Sequence, residues 1–142
     1  MNDAQATVSG IFRSVERGAP MESLPEATIV ADWGIDGDRK ARAGSKRQVY
    51  LVDETTLRSV ELEPGALREN ITVRGIEVNQ LPPGSRLRLG GALLEITMPC
   101  TVCGELDELR PGLKDALRER RGILTRVVEG GVVRLGDPIE II

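Results

Sequence analysis

"RLRLGGALLEITMP", residues Arg86 to Pro99, sets the fold class. Arg86 and Arg88 alternate with Leu87 and Leu89, the two-residue period of a strand with one buried face. Gly90-Gly91 supplies a turn, and Leu93 to Thr97 returns as a second strand. The flanking chain repeats the theme. "ATVSGIFRS" (6–14) and "ATIVADW" (27–33) read as short strands, and "QVYLVD" (48–53) as a buried, β-branched one. "ENITVRGIEV" (69–78) is a strand broken at Gly75. "ETTLRSVEL" (54–62) offers one or two helical turns, with Asp53 as N-cap and Pro64-Gly65 ending it. "RPGLKDALRERRG" (110–122) is the best helix: Pro111 suits its first turn, Leu113 and Leu117 share a face, and Gly122 suits its stop. "ILTRVVEGGVVRLGDPIEII" (123–142) reads as a hairpin turning at Gly130-Gly131 with a strand to the end. The strands follow one another too closely for regular βαβ crossovers. The sequence therefore predicts a mainly β chain, a closed or partly closed β-barrel with a few short helices, in one domain over residues 1–142.

Composition narrows what such a barrel could do. Of 142 residues, 40% are hydrophobic, enough for one sizeable core. That core must be aliphatic, because Phe12, Trp33 and Tyr50 are the only aromatic side chains. Few aromatics, a net charge of -3 and a pI near 5.1 argue against a nucleic-acid partner. No apolar run approaches the ~20 residues that span a bilayer, so no membrane partner is expected. The first residues, "MNDAQATVSG", lack the basic and apolar regions of a secretory signal. With two cysteines, this points to the cytoplasm and to thiols that are free at rest. There is no histidine. A serine triad of the usual type and a histidine-rich zinc site are therefore excluded by inventory.

Three segments carry candidate chemistry. Cys100 and Cys103 are two residues apart at the end of the returning strand. They read as two buried small hydrophobes, as half of a zinc site with no partners to complete it, or as working thiols. A thioredoxin-like use is disfavoured by the acids in "GELDELRP", which would raise a thiol pKa. "GIDGDRKARAGSKR" (34–47) places Arg39, Lys40, Arg42, Lys46 and Arg47 among three glycines. It reads either as a solvated loop or as an anion cradle, and it is not a Walker A loop. In "LRENITV" (67–73), Arg68 and Asn70 straddle Glu69 at a strand entrance. Period-two spacing puts both on one side, where a guanidinium and an amide suit a phosphate and a heterocycle edge.

Taken in order, four segments resemble the MOSC domain, named for the C-terminal part of molybdenum cofactor sulfurases. "GIDGDRK" looks like that family's Gly-Asp-Arg segment, and "LRENITVRG" like its Asn-Ile strand. "LRLGGALLEITMPCTVCGEL" resembles the stretch bearing the family cysteine, and "RGILTRVVEGGVVRLGDPIEI" the closing hairpin. The resemblance implies a β-barrel and the chemistry of a molybdopterin-type molybdenum cofactor. It makes Cys103 the molybdenum ligand or the carrier of a persulfide, with Cys100 its neighbour. It makes Asp38, Arg39, Arg68, Asn70 and Thr97 candidates for holding the cofactor. Cys100 stands where the family often has arginine, and Lys40 where a histidine often follows the Gly-Asp-Arg segment. The implied partners are a molybdenum-cofactor enzyme, a cysteine desulfurase or a cofactor-handling protein, and pyridoxal phosphate is not expected on this chain. The other readings are a non-catalytic accessory module with a degenerate site, and a dithiol redox protein.

Overall fold

The computed structural model describes residues 5–101 and 105–142. Eleven strands and short helical turns make up this part of the chain. They are β1 (Thr7–Arg13), β2 (Glu22–Ser23), β3 (Glu26–Val30), β4 (Gly34–Ile35), β5 (Val49–Asp53), β6 (Ile71–Arg74), β7 (Arg86–Leu89), β8 (Ala92–Pro99), β9 (Ile123–Glu129), β10 (Gly131–Arg134) and β11 (Ile139–Ile141). The helices are α1 (Glu54–Ser59), α2 (Glu105–Leu109) and α3 (Leu113–Ala116).

The hairpin over Arg86–Pro99 is present as β7 and β8. Leu87 faces Leu94 and Leu89 faces Ala92, all four buried, while Arg86 pairs with Glu95 on the wetter face. This hairpin lies within an eight-stranded sheet of order β11-β7-β8-β9-β5-β6-β1-β2. The sheet curls until β1 meets the start of β11. Val8 N–H donates to the Asp137 carbonyl at 2.9 Å, and Ile139 N–H to the Ala6 carbonyl at 2.9 Å. A second sheet, β10-β3-β4, covers part of it. The fold is thus mainly β, a curled, partly closed barrel.

Three expectations change. Residues 123–142 do not form a hairpin: β9 pairs with β8 and β5, whereas β10 crosses over to pair with β3. Gly130-Gly131 is a corner, where the chain squeezes between other backbones. A Cβ on Gly131 would lie 2.4 Å from the Gly91 carbonyl oxygen, and one on Gly130 2.7 Å from that of Ile29. The segment 110–122 is also not one long helix. Its helical part is α3, four residues, and Gly112 at its N-cap has φ +86° and no side-chain cap. Burial explains why the segment stays helical at all. Leu113 and Leu117 do share a face, which packs with Leu106, Leu57, Val52, Val60 and Leu67 into a second core outside the barrel. Finally, β5 and β6 are parallel and joined through α1, so one βαβ crossover exists despite the short spacing. Asp53 caps α1 as expected, its carboxylate accepting from Thr56 N–H at 3.0 Å; the helix ends at Ser59, before Pro64-Gly65.

The main core is aliphatic, with Ile11, Leu51, Ile71, Leu87, Leu94 and Ile96 among its fully buried members. Each such side chain contributes roughly 1.5–3 kcal/mol by leaving water. The barrel is therefore a rigid frame, and its loops are free to carry polar chemistry.

A cationic pocket at one end of the barrel

A cavity of about 620 Å³ opens where β1 and β8 end and where β5, β6 and β9 begin. Its walls bring together Arg17, Arg39, Lys40, Arg47, Arg68 and Arg121. Two acids, Asp38 and Glu105, also line it. A protein with net charge -3 has gathered six cations on one concavity. Low-dielectric walls focus such a field, so the pocket attracts compact anions.

Arg39 and Arg68 meet here. Arg39 Nε donates to the Ser14 hydroxyl at 3.1 Å, and Arg68 Nη2 to the same oxygen at 3.3 Å. Arg68 Nη1 also reaches the Ala19 carbonyl at 3.0 Å. Arg68 has φ +61°, a left-handed conformation that costs a non-glycine residue about 1 kcal/mol or more. Glu69 supports that conformation. Its fully buried carboxylate accepts from Gly65 N–H at 2.8 Å, Leu67 N–H at 3.1 Å and the Thr72 hydroxyl at 2.7 Å. The turn over residues 65–68 wraps around this carboxylate and leaves Arg68 at the pocket.

Asp38 is buried at the pocket wall. Its Oδ1 accepts from Ser14 N–H at 2.7 Å, and its Oδ2 is buried without a hydrogen-bond partner among the described residues. Asn70 also lines the cavity, but its amide is committed to backbone. Oδ1 accepts from Tyr50 N–H at 3.0 Å and Nδ2 donates to the Phe12 carbonyl at 3.2 Å. Lys40 and Arg47 are present, whereas Arg42 and Lys46 do not line the cavity. Thr97 does not line it either. It lies on β8, its hydroxyl 2.5 Å from the Lys46 carbonyl and 3.0 Å from that of Leu124, and so straps the basic loop to the barrel.

Cys100 is at the pocket, half-buried, and its backbone N–H donates to the Gly122 carbonyl at 2.9 Å. Cys103 lies outside the described residues. The Cys100 thiol is a neighbour of the Tyr50 phenol. Burial, then the adjacent thiol, pushes the phenol far above its ordinary pKa of 10. Its proton stays on and is donated to the Arg121 carbonyl at 2.5 Å. Arg121 Nη1 in turn holds the Thr101 carbonyl at 2.8 Å, so the chain at Cys100 and Thr101 is tied to the start of β9. The sequence did not single out Ser14, Arg17, Tyr50 or Arg121. Ser14, Arg17 and Tyr50 belong to no charged run, and Arg121 ends the run Arg118–Arg121, which reads as a helix end; only the folding of distant segments brings the four to one place. Among the described residues no group of three or more Cys, Asp and Glu side chains could hold a metal ion, and no helix is long and apolar enough to cross a membrane.

A family model, the MOSC domain, matches residues 38–140, which include most of this pocket. The chain belongs to the MOSC domain family. Solved structures with this fold include the YuaD protein of Bacillus subtilis, with a TM-score of 0.76 and 23% identity over 97% of this chain and 96% of that one. YiiM of Escherichia coli gives a TM-score of 0.73 at 18% identity, over 98% of this MOSC chain and 70% of its own. YiiM of Geobacillus stearothermophilus gives 0.70 at 18% identity, over 96% and 73%. At these identities the likeness is one of fold. No curated protein matches the chain.

Proposed function

We propose that this MOSC domain binds a molybdopterin-type molybdenum cofactor, carries sulfur for it as a cysteine persulfide, or does both, using the cationic pocket. The observation that carries the reading is the convergence of six cations and a thiol on one cavity of an acidic protein. The residues present suit such a group. Arg39 and Arg68 are forks for its phosphate. Asp38 Oδ2, buried without a hydrogen-bond partner among the described residues, suits an N–H donor of a pterin ring. Asn70 shapes the wall beside them, and Thr97 acts through the loop it straps. A soft thiolate, from Cys103 or its neighbour Cys100, suits molybdenum or sulfane sulfur. When bound, the cofactor would supply oxygen- or sulfur-atom transfer at the metal; the chain's residues bind and orient it.

The sulfur-carrying branch balances without the metal. The Cys103 thiolate attacks the outer sulfur of a donor persulfide, takes it, and releases the donor's thiolate. The Cys100 thiolate then attacks the inner sulfur, which forms a disulfide and expels hydrosulfide; an external thiol returns both cysteines to the reduced state. The fitting donor is a cysteine desulfurase in the cytoplasm, and the fitting acceptor a molybdenum enzyme or cofactor-handling protein. A second reading, an accessory module without chemistry, is favoured by the Asn70 amide, both ends of which are already committed to backbone.

The test is molybdenum content, oxidised-pterin fluorescence and intact mass of protein purified from a molybdenum-replete cytoplasm, with Cys103→Ala and Cys100→Ala alongside. Metal or pterin lost with Cys103→Ala supports cofactor binding. Labile sulfur on one cysteine supports the carrier. Protein that remains bare when given cofactor and sulfur donor refutes both and leaves the accessory module.

A further inference from the structure

We infer that Ser14 is the positioning residue of this pocket: its hydroxyl oxygen locks Arg39 and Arg68 into a fixed pair that selects a compact oxyanion of the phosphate class. The inference rests on the anion-pocket reading above and concerns how that pocket is held.

Ser14 immediately follows β1 and is 1% exposed. A serine hydroxyl has two lone pairs. Arg39 Nε takes one at 3.1 Å, and Arg68 Nη2 takes the other at 3.3 Å. The backbone of Ser14 is engaged as well. Its N–H donates to Asp38 Oδ1 at 2.7 Å, and its carbonyl accepts from Arg39 N–H at 2.8 Å. One small residue therefore ties together three segments that are distant in sequence.

The arrangement opposes Coulomb's law. Arg39 is exposed, and two guanidiniums left to themselves would swing apart into water. The shared acceptor holds the two donor nitrogens no farther apart than the sum of their bonds to it. Each guanidinium carries five N–H donors, and Arg39 spends only Nε on the serine. The remaining donors form a preset array, so a ligand does not have to order them. A monoanion would leave one of the paired charges uncompensated. An oxyanion with two negative charges and several acceptor oxygens matches both, which describes a phosphate or phosphate monoester.

The test titrates inorganic phosphate into the full chain at low ionic strength, with Ser14→Ala, Arg39→Ala and the double variant, while thermal unfolding is followed separately. Ser14→Ala keeps every charge, yet it is expected to weaken phosphate binding roughly tenfold, since one acceptor of two charge-assisted bonds is gone. In the Arg39→Ala background the same change should cost clearly less, because Ser14 then has one guanidinium to hold. Equal losses in both backgrounds would mark a merely structural serine and overturn the inference. So would a Ser14→Ala protein that binds phosphate as well as the wild type, although the anion pocket would then stand. A wild-type protein that does not bind phosphate would overturn both. Should Ser14→Ala fail to fold, the Arg39 Nε–H resonance of the wild-type protein decides: it should be protected from exchange with water, and a resonance lost to fast exchange would refute the pairing.

Discussion

Asn70 lines the pocket, but its chemistry is architectural, and one substitution tests this. The cavity lies where β5 and β6 start and β1 ends. There the Asn70 side chain links β5 to β1: its Oδ1 accepts from the Tyr50 N–H and its Nδ2–H donates a hydrogen bond to the Phe12 carbonyl. Its own backbone bonds the same two residues, to the Tyr50 carbonyl at 2.9 Å and from the Phe12 N–H at 2.7 Å. Asn70→Ala keeps the backbone pair and strands one buried donor and one acceptor. Each costs about 1–3 kcal/mol when left unmade, so about 3 kcal/mol is expected for the two, toward the low end because one side faces the cavity. For a domain of this length, roughly 3–4 °C is lost per kcal/mol, which gives a fall in Tm of about 10 °C.

Circular dichroism during thermal unfolding measures this directly. Asn70→Asp adds a check of sign. An ionised carboxylate can still accept from Tyr50, but it has no proton for Phe12. The neutral acid does, so folding raises the pKa of the new carboxyl above its ordinary ~3.9. Its stabilising contribution is complete below that value and lost as the pH rises through the raised one. The variant's deficit should therefore shrink in acid and be full at neutral pH. A fall in Tm below about 3 °C for Asn70→Ala, or an Asn70→Asp deficit that grows in acid, would refute the bridge.

Other outcomes follow from the same geometry. Tyr50 is the single tyrosine, so absorbance at high pH reports it alone: no tyrosinate should form near pH 10 while the chain is folded. Its contribution to stability is full below pH 10 and lost progressively above it, so alkaline unfolding and ionisation should coincide. Acid should act in the opposite direction. Glu54 is disfavoured by burial, but hydrogen bonds from Arg74 and Ser9 outweigh this and hold it below its usual 4.5. Bonds from Arg126 and Arg86 likewise lower Glu95. Stability present above pH 4.5 should therefore fall as these groups protonate, and Glu54→Gln should flatten that part of an acid-unfolding curve. Gly122→Ala should be strongly destabilising, by about 3 kcal/mol or more in denaturant titration, because its Cβ would sit 2.3 Å from the Leu51 carbonyl oxygen at φ +104°.

The sequence revealed what depends on period and residue type. The Arg86–Pro99 alternation, the Asp53 cap and the Leu113/Leu117 face all survive, because each is a local pattern answering to a local burial. What it hid depends on distant backbones. Gly130-Gly131 has the composition of a hairpin turn, yet its glycines serve close packing against Gly91 and Ile29. The site divides in the same way. Asp38, Arg39, Arg68 and Cys100 stand in dense, chemically suggestive runs. Ser14, just after β1, and Tyr50, in β5, stand in ordinary apolar stretches, and their roles exist only once segments 24 and 71 positions away arrive.

The pocket also shows why its parts could not be read one at a time. Gathering six cations on one cavity is unfavourable. The offsetting interactions are placed behind them: a buried Glu69 that shapes the turn under Arg68, a buried Ser14 that holds two guanidiniums, and a Tyr50 phenol and Arg121 that secure the loop bearing Cys100. Glu69 and Ser14 are buried groups that act on a guanidinium, one through backbone and one through its hydroxyl, whereas Tyr50 and Arg121 act on backbone carbonyls. Removing a cation would relieve repulsion and can even stabilise the fold while weakening anion binding. Removing a supporting group should weaken both. Stability and anion affinity are therefore expected to move in opposite directions for Arg39→Ala and together for Glu69→Gln. A Glu69→Gln protein that keeps wild-type stability would show that the turn holds Arg68 without its carboxylate.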